Sequence, residues 1–207
     1  MSIASNISSL HNSVFGWTTK IDWLGPLALR LYLAPIFWVG GMNKASGFDN
    51  VVQWFGNDDW GLGLPLPGLM AFLATAAEIV GGIFLLLGLA TRWITVPLIV
   101  TMIVAITTVH WDHGWQAVHD AKSPFASPYT LGIEADDATA AGQRLERAKE
   151  ILEQNGNYEW LTEQGNFIVS NSGVEWAVTY LVMLLALFFI GAGRISLDHL
   201  LVRSTRE

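Results

Sequence analysis

The stretch GLMAFLATAAEIVGGIFLLLGLA, Gly68–Ala90, decides the fold. A helix needs about 20 mostly apolar residues to cross a hydrocarbon core of roughly 30 Å. This run has that length, and its only ionisable side chain is Glu78. It is apolar all round at Ile83–Leu87, so it lacks the polar face that a helix buried in a soluble domain keeps. Working outward, three further runs of the same kind stand at Leu24–Met42, Trp93–His110 and Val174–Ala192, each bounded by polar or turn residues. The pattern predicts an all-α chain, a four-helix transmembrane bundle that crosses a bilayer four times.

Composition agrees. Of 207 residues, 52% are hydrophobic and only 14% charged, and the mean hydropathy is +0.39, which moves the expectation from a soluble domain to a membrane protein. The chain has no cysteine. That excludes disulfides, thiolate metal sites and cysteine nucleophiles, so redox chemistry would need a bound cofactor or histidine and carboxylate ligands. A net charge of -7 with no cluster of Lys and Arg argues against nucleic acid as a partner.

Four regions follow from the spans: 1–23, 24–110, 111–173 and 174–207. In the first, Ile3, Ile7, Leu10, Val14, Trp17, Ile21 and Leu24 recur every three or four residues, with Ser and Asn opposite. This predicts an amphipathic helix lying in the membrane interface; a disordered leader is the alternative, because Ser and Asn are poor helix formers. The segment lacks the basic start and compact apolar run of a signal peptide. Lys20, Arg92, Arg194, Arg203 and Arg206 fall on the side that holds both ends of the chain, against Lys44 and Lys122 opposite. Both termini are therefore expected in the cytoplasm, in a multi-pass protein of a bacterial inner membrane, with Trp23, Trp93 and Trp176 in its interfacial belts.

Two segments lie outside. Asn43–Pro67 sets Trp54, Phe55 and Trp60 among Asp49, Asp58, Asp59 and a Gly-Pro-rich run, and its tryptophans are expected to fold back on the outer interface or cap the bundle. The insertion 111–173 between helices 3 and 4 is too long for a bare loop. Ala138, Ala141, Leu145, Ala148 and Leu152 predict a helix, with Asp136 or Asp137 at its start and Asn155–Gly156 at its stop. Tyr158–Leu161 and Phe167–Val169 around Gly165 read as a short hairpin. The insertion holds ten acidic and four basic residues. An acidic outer face attracts cations or a basic partner, or is simply solvated.

Charges inside a bilayer cost at least about 2.5 kcal/mol each, so they mark function by default. Arg30 and Glu78 qualify, and adjacent antiparallel helices would let them pair. Such a pair either sets helix register or offers Glu78 as a proton acceptor or ligand contact. Asn43, Lys44, His110 and Glu175 form a polar cluster at the outer span ends, read either as a site or as capping and snorkelling residues. His110 and His113 share a His-x-x-His spacing that a continuing helix would align, part of a metal site with Asp112 or Met42, or a titrating histidine. Gly40-Gly41, Ala74 with Ala77, and Gly81-Gly82 allow close helix packing. Pro35 and Pro97 are candidate kinks beside a cavity.

Leu27–Lys44 (LALRLYLAPIFWVGGMNK), Ala77–Gly88 (AEIVGGIFLLLG), Thr108-Val109-His110 and Gly191–Leu200 (GAGRISLDHL) together resemble the DoxX family of small four-helix bacterial membrane proteins. The loops Trp54–Pro67, His110–Trp115 and Asn157–Asn171 resemble its HvfX subgroup, whose genes accompany copper-responsive modified peptides. The resemblance implies a quinone-linked or redox-accessory role, with Arg30, Glu78 and His110 at recurrent polar sites and Arg194 in the closing motif. The long insertion departs from a minimal member. Three functions follow: a non-haem accessory subunit of a quinone-linked oxidoreductase, whose partner supplies electrons and whose cofactor is left open between quinone and, behind it, copper; a platform or exporter for a modified copper-binding peptide; and a structural bundle within a larger complex of membrane or extracytoplasmic subunits. No two facing mid-membrane histidines are present for haem.

Overall fold

The computed structural model describes residues 13–120, 123 and 138–204. Ile3, Ile7 and Leu10 of the expected interfacial helix, the capping candidates Asp136 and Asp137, Lys122 and Arg206 lie outside the described residues. Within the N-terminal region, residues 13–15 are helical and Thr18–Lys20 form a 3-10 turn.

The described residues contain helices and no strand. They are α1 (Leu24–Ser46), α2 (Phe48–Gly56), α3 (Pro67–Leu87), α4 (Thr91–Val104), α5 (Ala138–Asn155), α6 (Tyr158–Leu161), α7 (Glu175–Ile190) and α8 (Leu197–Ser204). α4 continues through a π-helical turn, Ala105–His110, into a 3-10 turn, Trp111–His113. Three helical runs are long and apolar enough to cross a membrane: Leu24–Ser46, Pro67–Leu87 and Thr91–His113. Large apolar side chains such as Leu31, Val39, Phe72, Leu73, Ile83 and Val100 stand exposed along them. Such a surface is stable only where its solvent is lipid.

α7 has 16 residues, about 24 Å of helix at roughly 1.5 Å per residue. It stops short of the expected Ala192, because Gly191 and Gly193 turn the chain at φ 81° and 78°.

The chain divides into two compact units, Met1–Thr101 with Val182–Glu207, and Met102–Leu181. In the first, α1 and α3 pack so closely that only glycine fits at the crossing. A Cβ on Gly41 would lie 2.8 Å from the Ile79 backbone nitrogen, and one on Gly82 would lie 2.8 Å from that of Trp38. Gly81 receives the Leu98 side chain in the same way. Pro67 opens α3, where its missing N–H costs nothing. Gly88 closes it in the left-handed region, with Gly88 N–H donating to the Leu85 carbonyl and Leu89 N–H to that of Phe84. In the outer segment Phe55 of α2 is buried and meets Trp54 edge-on, while Trp60, one of the tryptophans expected to fold back, stays exposed.

The second unit is organised around the two ends of the insertion. His119 N–H donates to Val169 O at 3.0 Å and Asn171 N–H to Ala117 O at 2.9 Å, around a single bridge between Val118 and Ser170. Beneath them Ile106, Val174 and Ala177 form a small core with Trp115, Val178 and Leu181. α5 forms over the expected residues and ends at Asn155. The hairpin expected after it is corrected: Tyr158–Leu161 is a helical turn, because the Asn157 side chain caps the Trp160 N–H at 3.3 Å.

Candidate functional site: two polar stations in the first unit

Arg30 and Glu78 do not pair. The glycine crossings set the register of α1 on α3, so that Gly40 faces Glu78 and a Cβ there would lie 3.1 Å from the carboxylate. Arg30 is ten residues back along α1, about 15 Å away by helical rise and beyond the reach of one arginine stem.

Glu78 takes Lys44 instead. Lys44 Nζ donates to Oε1 at 2.9 Å and to Oε2 at 2.7 Å. The Glu78 side chain is 6% exposed and that of Lys44 29%. Lys44 sits in the last turn of α1, so its apolar stem lies along the helix while the ammonium reaches inward to the carboxylate. Two of its three N–H donors go to Glu78, which leaves one for another acceptor. One turn from Glu78 on the same face, the buried Thr75 hydroxyl finds no partner among the described residues. Lys44 and Glu78 thus form a small polar station inside an apolar bundle, with the Thr75 hydroxyl one helical turn away.

Arg30 builds a different station. Its Nε donates to Leu85 O at 2.9 Å, Nη1 to Ala192 O at 2.7 Å and Ile195 O at 2.8 Å, and Nη2 to Leu86 O at 3.4 Å. Leu85 and Leu86 end α3, where carbonyls lack helical partners and a cation is favoured. Gly88 cradles the guanidinium, since a Cβ there would come within 2.5 Å of Nη1. The segment Gly191–Leu200 completes the clasp. Asp198 accepts from the N–H groups of Ala90 at 2.6 Å and Thr91 at 2.9 Å, capping α4 from a distance, while its own N–H donates to Gly88 O. Arg194 lies outside this clasp, paired with Asp22 at 3.0 Å on the surface.

Asn43 is exposed in this unit and its carbonyl accepts from Ser46 Oγ and Gly47 N–H. The other two members of the expected outer cluster belong to the second unit, where both hold backbone. His110 Nδ1–H donates to Ser172 O at 2.6 Å, and Glu175 Oε2 accepts from Ala117 N–H at 3.1 Å. The expected alignment of His110 with His113 does not form on an α-helix, because the chain passes from a π-turn to a 3-10 turn between them. Thr107 and Thr108 accompany that change, with hydroxyls bonded back to the carbonyls of Ile103 and Val104. Among the described residues no three His, Cys, Asp or Glu side chains gather to hold a metal.

Sequence reasoning misses Thr75, Gly88 and Asp198. Asp198 leaves one signal, as an acidic residue opening a short helix, but its contacts to Ala90 and Thr91 join residues far apart in the chain.

Both stations draw on α1 and α3, and this is where known proteins resemble the chain. Residues 25–111 match the DoxX family. The matched segment contains Arg30, Lys44, Thr75, Glu78 and Gly88 and ends at Trp111, where the insertion begins; Asp198 lies beyond it. "Putative oxidoreductase CatD" of Bacillus subtilis is 38% identical over 86 residues, 42% of this chain and 60% of that protein. "Inner membrane protein YphA" of Escherichia coli is 35% identical over 100 residues, 47% of this chain and 66% of that protein. The chain thus spans less than two thirds of the length of either relative. No solved structure matches it.

Proposed function

We propose that this DoxX-like membrane protein is a quinone-linked redox accessory, crossing the bilayer four times with both ends in the cytoplasm, and that the Lys44–Glu78 station contacts the quinone headgroup. The observation that carries the reading is a carboxylate sealed between apolar helices by an ammonium that keeps a donor to spare. A quinone carbonyl would accept from Lys44 Nζ, and the Thr75 hydroxyl offers a second donor, while Glu78 stands ready to take a proton from a reduced quinol. The relative named an oxidoreductase supports the redox class. Organic extraction of the purified protein tests it: about one quinone per chain is expected. Glu78→Gln keeps the shape, removes the charge that orients Lys44 and should lower quinone retention about tenfold, one charged hydrogen bond's worth. Extracts without quinone, or equal retention in the variant, would remove the headgroup assignment.

The folding of Met102–Leu181 as its own compact unit supports a second reading, close to the HvfX subgroup, in which the outer segment is a platform for a modified copper-binding peptide. Deleting 111–173 should then abolish capture of such a peptide by membranes while the remaining spans still insert. Undiminished capture would sink this reading.

A further inference from the structure

Away from both stations, a cavity of about 770 Å³ opens where span ends meet: the start of α1, the turn into α4, the end of α7 and α8. Its walls are of two kinds. Trp23, Pro26, Trp93, Ile190, Leu201 and Val202 supply apolar surface, much of it exposed. Asp22, Arg92, Arg194, Asp198 and His199 are the titratable groups that line it.

The two carboxylates and two guanidiniums balance in number, but they are not all paired with one another. Both Asp198 oxygens are turned to the N–H groups that open α4, and its charge also faces Arg30. Asp22 is spent on Arg194 at 3.0 Å. Arg92 has no carboxylate partner among the described residues; its Nη2 donates to the Phe189 carbonyl at 3.1 Å, leaving further guanidinium donors open on an exposed side chain. A cavity at the level of the span ends, lined by apolar side chains and by one guanidinium, that of Arg92, that no carboxylate among the described residues neutralises, has the polarity of an amphiphile with an anionic head. The tryptophans among its lining residues, Trp23 and Trp93, belong at that depth, and its volume suits a phosphate headgroup with the first part of its acyl chains.

We propose that this cavity is a binding site for an anionic phospholipid, with the phosphate on Arg92 and the acyl chains along Ile190, Leu201 and Val202. Delipidated full-length protein in detergent, offered phosphatidylglycerol or phosphatidylcholine at equal concentration, tests it by native mass spectrometry. Phosphatidylglycerol should be retained about tenfold better, and Arg92→Gln should cut its retention about fivefold, as expected for one basic residue near an anionic headgroup. Leu201→Trp removes no hydrogen bond and narrows the apolar part of the cavity along which the acyl chains are placed, so it should also cut retention; it decides the matter if Arg92→Gln fails to fold. Equal retention of the two lipids, or unchanged phosphatidylglycerol retention in Leu201→Trp, overturns the proposal. So does displacement of phosphatidylglycerol by millimolar inorganic phosphate, which would make free phosphate the occupant.

Discussion

Arg30→Met should destabilise the protein by on the order of 3 kcal/mol or more, read from the midpoint of unfolding in mixed detergent–SDS micelles. The methionine keeps much of the volume, so the loss is that of the guanidinium's bonds. Four carbonyls now satisfied by one side chain, those of Leu85, Leu86, Ala192 and Ile195, would be left with fewer donors in a region water does not freely reach. Leu85 O keeps the Gly88 N–H, and so would suffer least. Arg30→Lys should recover under half of the loss, because a point ammonium cannot span carbonyls that a planar five-donor fork reaches together. A lysine variant as stable as the parent would mean that charge alone matters at the end of α3, and that the clasp geometry does not.

Lys44→Met should cost about 3–5 kcal/mol by the same measurement, since it strands the Glu78 carboxylate with no cation beside it. The double change Lys44→Met with Glu78→Leu should bring stability back to within about 1 kcal/mol of the parent, because an apolar pair of similar volume replaces a buried ion pair with little loss. The coupling in that cycle isolates the pair. Additive effects would show that the two residues do not depend on each other. A stable double variant that no longer retains quinone would separate the ligand-binding role of the station from any role in holding the helices.

The charged residues of both stations are legible in the sequence as types. Arg30, Lys44 and Glu78 announce themselves because each interrupts or ends an apolar run, and hydropathy is a property of the residues themselves. Their partners are not legible in the same way. An Arg30–Glu78 pairing treats the helices as free to slide, whereas Gly41 and Gly82 let backbone approach backbone at one register alone, which brings Glu78 to Gly40 and Lys44. The recurrence of glycines can be read from the sequence, but not which glycine faces which residue. In the insertion, the spacing of Ala141, Leu145, Ala148 and Leu152 identifies α5. The hairpin expectation fails next to it, because four residues of mixed aromatic and acidic character carry no periodicity, and a single side-chain cap from Asn157 is enough to select a helical turn.

What the sequence determined by itself is therefore what is local: apolar runs long enough for a bilayer, helical periodicity, and charges placed where lipid makes them costly. The groups that compensate those charges are set by how the helices pack. Arg30 is held by carbonyls from the end of α3 and from the Gly191–Leu200 segment, and Asp198 caps a helix that begins more than a hundred positions earlier. Such pairings depend on helix register and chain reversal, which no single stretch of sequence contains.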